Sequence, residues 1–264
     1  MSEPLYVTGA SGYDELFAQI TRSFIPALLA AARINSGHRV LDVATGTGAA
    51  AEAAAKLVAP SGEVFAGDVS SSMLDVARRN LKDTAIKLEL FDGQALPYPE
   101  GRFDRVICQM GLQFFNDPER GLGEFRRVLT PGGRAAVSVN STPERSMFTR
   151  IGTVIGRYVP AQAEKLNRYA SIRTIERLDT LFRAAGFAGV KVQSEMRSFS
   201  FASFDEYFRG TESGAGISGQ AYVKLSEDLQ RAVREDVRRS FPNGGGAKPF
   251  VVEMEVLVGS GQNG

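Results

Sequence analysis

Short apolar runs and amphipathic stretches take turns along the first half of this chain. Apolar residues gather at 40–43, 63–66, 86–91, 103–108 and 134–139, lengths that suit buried strands. Between them the pattern predicts helices over about 47–58, 71–82 and 118–128. Asp117-Pro118-Glu119 opens the last with a cap, a proline in the first turn and an acid at the positive end. Upstream, Tyr13, Leu16, Phe17, Ile20, Phe24, Leu28 and Ala31 recur at helical spacing, predicting one amphipathic helix over 13–33. Strands alternating with helices imply a parallel sheet with right-handed crossovers.

The character changes after residue 140. Thr142-Pro143-Glu144 predicts a helix start. Leu178, Leu181 and Phe182 mark a second helix, stopped by Gly186. Leu225, Leu229, Val233, Val237 and Phe241 form the stripe of a third. The glycine- and serine-rich stretch 210–219 reads as a mobile loop. Residues 190–192 and 251–258 read as closing strands. The expected architecture is an α/β three-layer sandwich with a mostly parallel seven-stranded sheet. It forms a single domain over 1–264 with a ligand-binding core at 35–140, and helical insertions at about 142–185 and 203–241 cover the strand ends.

Composition narrows this only a little. The 264 residues are 43% hydrophobic and 23% charged, enough apolar material for a full core, and the formal net charge is +1. That balance gives no pull toward nucleic acid or anionic membrane, and no Asn-Pro-Pro-aromatic motif for flipped bases occurs. One cysteine cannot form an internal disulfide, which fits a reducing cytoplasm. The apolar run 24–32 is too short to span a bilayer, and Glu3 sits where a signal peptide would carry positive charge. The expected location is cytoplasmic.

The chemistry concentrates where four successive strands end. Val40-Leu41-Asp42-Val43 runs into Ala44-Thr45-Gly46-Thr47-Gly48, an acid in an apolar strand followed by a tight glycine turn. Asp68 lies 20 residues beyond Gly48, where a carboxylate can accept both ribose hydroxyls. Phe91-Asp92-Gly93-Gln94-Ala95 offers an acid for an adenine amino group. Cys108-Gln109-Met110-Gly111 ends the fourth strand. The turn also satisfies a dinucleotide fingerprint, so a nicotinamide-dependent oxidoreductase is the competing reading. Asp42 and Asp92 decide against it, because a pyrophosphate is repelled by acids while a cationic sulfonium ligand is attracted. S-adenosylmethionine is the expected cofactor.

These residues resemble those of class I (Rossmann-like) S-adenosylmethionine-dependent methyltransferases, in the branch similar to quinone-biosynthesis C-methyltransferases. The segments that carry the resemblance are 40–48, Gly67-Asp68-Val69-Ser70-Ser71-Ser72-Met73-Leu74, 92–98, Gly101-Arg102-Phe103-Asp104 and 128–133. The resemblance implies that Asp42 with Ala44, Thr45, Gly46, Thr47 and Gly48 holds the methionine end. It implies that Asp68 takes the ribose, Val69 and Met73 pack on the adenine, and Asp92, Gly93 and Gln94 meet its edge. Gln109 then lies beside the sulfonium. Ala44 stands where many members carry glycine, and an adjusted turn is expected there.

Methyl transfer by in-line displacement needs positioning and dehydration more than acid–base machinery. Tyr13, Met110, Gln113, Phe114 and Asn140 are expected to line the meeting point with a small, partly apolar acceptor. Aromatics at 148, 158, 169, 199, 201, 204, 207 and 208 furnish the cover. No catalytic base and no metal ligand set is nominated, and the oligomeric state is left open, a homodimer included. A protein of this fold that binds the cofactor without transferring methyl is the remaining alternative. His38 and Asp104 lie at the opposite end of the strands and Cys108 reads as packing. Arg231, Arg234, Arg238 and Arg239 read as a solvated helix face.

Overall fold

The computed structural model describes residues 15–163, 166, 171–242, 246 and 248–264. Seven strands form one sheet: β1 (Arg39–Val43), β2 (Glu63–Asp68), β3 (Lys87–Leu90), β4 (Phe103–Gln109), β5 (Leu129–Asn140), β6 (Ala188–Phe201) and β7 (Phe250–Gln262). Their order is β3-β2-β1-β4-β5-β7-β6, parallel except for β7, which runs against both neighbours. The chain winds outward from β1 to β3, returns to β4 and winds the other way. The carboxyl ends of β1 and β4 therefore flank a topological switch point, where open α/β sheets leave a crevice.

Helices cover both faces. α1 (Glu15–Arg22) and α2 (Ile25–Ala32) precede β1, and α3 (Ala49–Val58) and α4 (Ser71–Asn80) follow β1 and β2. Leu28, Leu29 and Ala32 of α2 and Ala50, Ala51 and Ala54 of α3 bury against Val40, Val64 and Ile107. On the other face, α5 (Pro118–Val128) and α7 (Ile175–Ala184) bury Leu122, Phe125, Leu178 and Phe182 against Leu41, Val106 and Val137. Side-chain caps set several starts: Ser70 Oγ accepts the Met73 N–H (3.3 Å), Asp117 that of Arg120 (2.9 Å) and Thr174 that of Arg177 (3.2 Å). Each cap contributes about 1 kcal/mol.

The third apolar cluster lies above the strand tips. β5 pairs with β7 only as far as Asn140↔Val256, whereas β6 and β7 stay paired to Phe201↔Phe250. The last six residues on the β7 side overhang the sheet by roughly 20 Å. That overhang carries α8 (Phe204–Glu212), α9 (Gly216–Tyr222) and α10 (Glu227–Arg239). Phe204, Tyr207, Val233 and Val237 pack there with Ile151 and Ile155 of α6 (Met147–Tyr158) and with Ile20 and Phe24.

Several expectations change. The predicted helix over 13–33 is two helices, because Pro26 lacks an N–H and its ring conflicts with the carbonyl four residues back. Residues 142–146 form a turn, with the Arg145 and Ser146 amides bonding the Thr142 carbonyl, and α6 starts only at Met147. Helix α7 packs in the sandwich rather than the cover. The expected loop at 210–219 is mostly helical, spanning the end of α8 and the start of α9. A Cβ at Gly219 would lie 2.6 Å from the Gly214 backbone. The small residues there serve close packing, which overrides their loop propensity. Arg234 leaves the solvated face, bonding Asp205 (2.6 Å) and Glu212 and lying over the rings of Phe204 and Phe208.

Candidate active site

Two neighbouring strands leave the sheet through left-handed residues that are not glycine. Ala44, after β1, has φ +58°, and Met110, after β4, has φ +52°. At Ala44 the alanine carries a left-handed backbone at a strain of about 1–2 kcal/mol. Gly111 lets the tips meet, since a Cβ there would lie 2.5 Å from the Ala44 Cβ and 2.9 Å from the Cys108 sulfur. Ala44→Gly is expected to raise stability by up to about 1 kcal/mol, and Gly111→Ala to lower it by about 1–3 kcal/mol. In the Ala44→Gly background the Gly111→Ala penalty shrinks. Urea unfolding of the four proteins measures that coupling.

The glycine turn is built on two carboxylates. Asp42 is fully buried beneath it and does not line the crevice. One carboxylate oxygen accepts from the Thr45 hydroxyl (2.6 Å), while Oδ1 has no partner. Burial pushes this carboxyl up to about 7, against the hydrogen bond from Thr45. Asp68 accepts the Gly46 N–H (2.9 Å) on one oxygen and the Ser70 N–H (2.9 Å) on the other. Burial raises its pKa too, and those amides oppose the shift. Asp92 is exposed at the tip of β3 and accepts the Gln94 amide N–H (2.9 Å) and side-chain amide (3.1 Å). The end of β4 is pinned by Gln109, which accepts from the Ser138 hydroxyl (2.9 Å) and donates to the Thr21 carbonyl (3.1 Å).

A cavity of about 510 Å³ runs along these tips, within the span of small-molecule sites. At one end it is walled by Asp68, Val69, Met73, Asp92, Gly93 and Gln94. Ala44, Thr45, Gly46, Thr47 and Gln109 follow, and Met110, Gln113, Phe114 and Asn140 complete the wall toward the cover. Fifteen of the residues singled out from sequence thus meet in one space. Gly48 is set back, where a Cβ would strike Leu81, and Tyr13 and Tyr169 lie outside the described residues. Sequence reasoning missed Ala18, Thr21, Arg22, Thr211 and Ser218, which also line it. Of the cover aromatics, Phe148 reaches the cavity, while Phe204, Tyr207 and Phe208 belong to the cover's own core.

The remaining singled-out groups are structural. Asp104 accepts the Arg39 N–H (2.8 Å) at the far end of the sheet, and His38 accepts the Asn35 N–H (3.0 Å). Cys108 is fully buried, and burial drives its thiol well above the ordinary range.

The residues present fit an adenosyl sulfonium compound. Left-handed Gly46 (φ +56°) lines the cavity with no atom within 4 Å of where a Cβ would stand, so its missing side chain leaves room for a ligand against the backbone. The carboxylates flanking it suit a ligand with hydroxyls and positive charge.

A strand order with one reversed strand, a glycine turn after β1 and acids after β2 and β3 together define a class of cofactor-dependent transferase. A model described as a methyltransferase domain matches residues 40–133. A demethylmenaquinone methyltransferase of Deinococcus radiodurans is 36% identical over 182 residues, covering 64% of this chain and 75% of that protein. The ubiquinone/menaquinone biosynthesis C-methyltransferase UbiE of Bordetella avium is 41% identical over 126 residues, 47% of this chain. That match spans 49%, about half, of the Bordetella protein's length. A solved Bacillus halodurans protein, described as a methyltransferase, superposes with a TM-score of 0.65 at 21% identity, covering 91% of this chain and 99% of its own. The chain belongs to the class I S-adenosylmethionine-dependent methyltransferases, and its cofactor is S-adenosylmethionine. No helix among the described residues is long and apolar enough to cross a membrane.

Proposed function

We propose that this chain methylates a small, partly apolar acceptor of the kind met in quinone biosynthesis, by in-line displacement. The observation that carries this reading is the continuity of the cavity, from the acids at the tips of β2 and β3 to the wall formed with the cover. When bound, S-adenosylmethionine supplies an activated methyl group whose leaving group is a neutral thioether. Asp68 holds the ribose: each of its oxygens keeps accepting capacity after bonding one amide. Val69 and Met73 flank the adenine, and Asp92 with Gln94 meets its edge. Gln109, held from both sides, fixes the position of the reacting centre.

On the acceptor side the wall is Met110, Gln113, Phe114, Asn140, Phe148 and Ile151. Arg22, Asp68 and Asp92 are the only charged residues among the described lining residues, and both acids lie at the nucleoside end. Among the described residues the acceptor half thus offers no general base, which suits a nucleophile that needs none or one ionised beforehand. Its contribution is orientation and exclusion of water.

Gln113 illustrates the orientation. Its Oε1 accepts the Asn140 backbone N–H (2.8 Å), which fixes the amide, and its Nε2 has no protein partner. Gln113→Leu is expected to raise KM for an oxygen-bearing acceptor about tenfold and leave affinity for S-adenosylhomocysteine within about twofold. The test of function itself is incubation with S-adenosylmethionine and a demethylmenaquinol, followed by mass spectrometry. A product heavier by one methylene supports the reading. Tight cofactor binding without product from this acceptor or a wider panel overturns it in favour of a non-transferring protein.

A further inference from the structure

We propose that Gln113 and Asn140 act as one pair of hydrogen-bond donors that holds an oxygen of the methyl acceptor in its anionic form, an inference that rests on the acceptor reading above. Both residues line the cavity and both are buried, at 1% exposure. Gln113 lies in the single helical turn Leu112–Phe114 after β4, and Asn140 ends the neighbouring β5. A carboxamide has an acceptor oxygen and a donor nitrogen, and it offers a ligand whichever the protein leaves over. Here the protein takes both oxygens. Gln113 Oε1 accepts the Asn140 N–H (2.8 Å), and Asn140 Oδ1 accepts the Ser146 hydroxyl (3.3 Å). Gln113 Nε2 is buried without a partner, and no hydrogen bond found among the described residues takes Asn140 Nδ2. Gln113 cannot turn over, because its nitrogen would then face the Asn140 N–H. The Asn140 end is held from behind by Glu255 of β7, itself 3% exposed. Its carboxylate accepts from the Ser141 hydroxyl (2.5 Å) and the Arg145 guanidinium (3.0 Å), and its N–H bonds the Arg145 carbonyl (2.7 Å). That clasp fixes the turn carrying Ser146.

Two donors whose oxygens are spent suit a carbonyl or an ionised hydroxyl and reject an amine. A buried donor left bare is costly, so this wall is complete only with an oxygen against it. Hydrogen bonds to the charged form favour ionisation of a hydroxyl bound there. Its proton leaves to water before transfer. The freed electron pair forms the bond to the methyl carbon, from the oxygen or by conjugation from an adjacent carbon that then loses its own proton to water. The pair of the broken carbon–sulfur bond stays on the thioether. Of the charged groups around the site, Asp68 and Asp92 lie at the nucleoside end and Glu255 is paired with Arg145. Arg22 of α1 is the only cation among the described residues of the wall, and so the rival source of any such stabilisation.

The experiment is a pH titration of 4-nitro-1-naphthol, whose anion absorbs visible light, bound to the protein together with S-adenosylhomocysteine. Wild type is expected to lower the pKa of the bound naphthol by about one unit from its value in buffer. Asn140→Asp keeps the bond from Ser146 but turns an oxygen toward the ligand, and is expected to abolish or reverse the shift. Gln113→Leu is expected to reduce it, and Arg22→Gln to leave it in place. Affinity for S-adenosylhomocysteine within about twofold shows that each variant is folded; should Asn140→Asp fail that check, Gln113→Leu alone carries the test. No binding of the naphthol by wild type, no shift, a shift unaltered by the amide substitutions, or one lost in Arg22→Gln overturns the pair. A wild type that methylates a demethylmenaquinol yet shows no shift also removes the pair and leaves the acceptor reading standing. A shift in a protein that methylates nothing supports the pair and overturns methyl transfer.

Discussion

Asp68→Ala is expected to weaken S-adenosylhomocysteine binding at least about 100-fold, the largest effect of any single side chain at this site. Two charge-assisted hydrogen bonds to ribose hydroxyls contribute about 1.5–3 kcal/mol each. The carboxylate also holds the Gly46 and Ser70 amides, so its removal loosens the glycine turn and the start of α4. The two contributions separate with a ligand that lacks the ribose hydroxyls. Calorimetry is expected to show a much smaller loss for the 2′,3′-dideoxy analogue than for the parent compound. Unchanged affinity for the parent compound removes Asp68 from the ribose.

The second large effect is on stability against pH. Asp42, fully buried with one oxygen unpartnered, titrates at about 7 in the folded chain, well above an ordinary carboxyl near 4. Between those values the folded protein keeps the proton that the unfolded chain has released. Stability from this group is therefore present below about pH 4 and is lost as pH rises toward 7, with no further loss beyond. The difference between pH 5 and pH 8 is on the order of a few kcal/mol. Asp42→Asn, neutral throughout, is expected to flatten that slope and to gain on wild type at pH 8. Urea midpoints of both proteins at the two pH values are the measurement, and parallel slopes refute the assignment.

The positions of the strand-end residues were legible in sequence because their signals are local. A buried strand reads as an apolar run, a turn needs glycine, and each acid follows the strand that positions it, so Asp42, Asp68 and Asp92 could be placed from order alone. What sequence misjudged was set by contacts between distant segments. The 210–219 stretch looks like a loop by composition, yet Gly219 lies against the Gly214 backbone inside a helical hairpin. Asp42 looked like a ligand contact and is instead the support of the turn, because alternation along β1 turns its side chain toward α3. Arg22 carried no motif at all. The Thr21–Gln109 bond, across 88 residues of sequence, and the packing of Ile20 and Phe24 in the cover hold its turn at the cavity. Met110 gave no hint of its left-handed backbone, since nothing in its side chain favours that conformation.

The overhanging β6–β7 ribbon has a consequence for how such a protein diversifies. Everything between Phe201 and Phe250 enters and leaves at one rung of the ladder. An exchange of that segment for another of similar girth leaves every strand register, and so the nucleoside grip, where it was. Acceptor preference can drift at the tip of the ribbon while the engine beneath it is inherited intact.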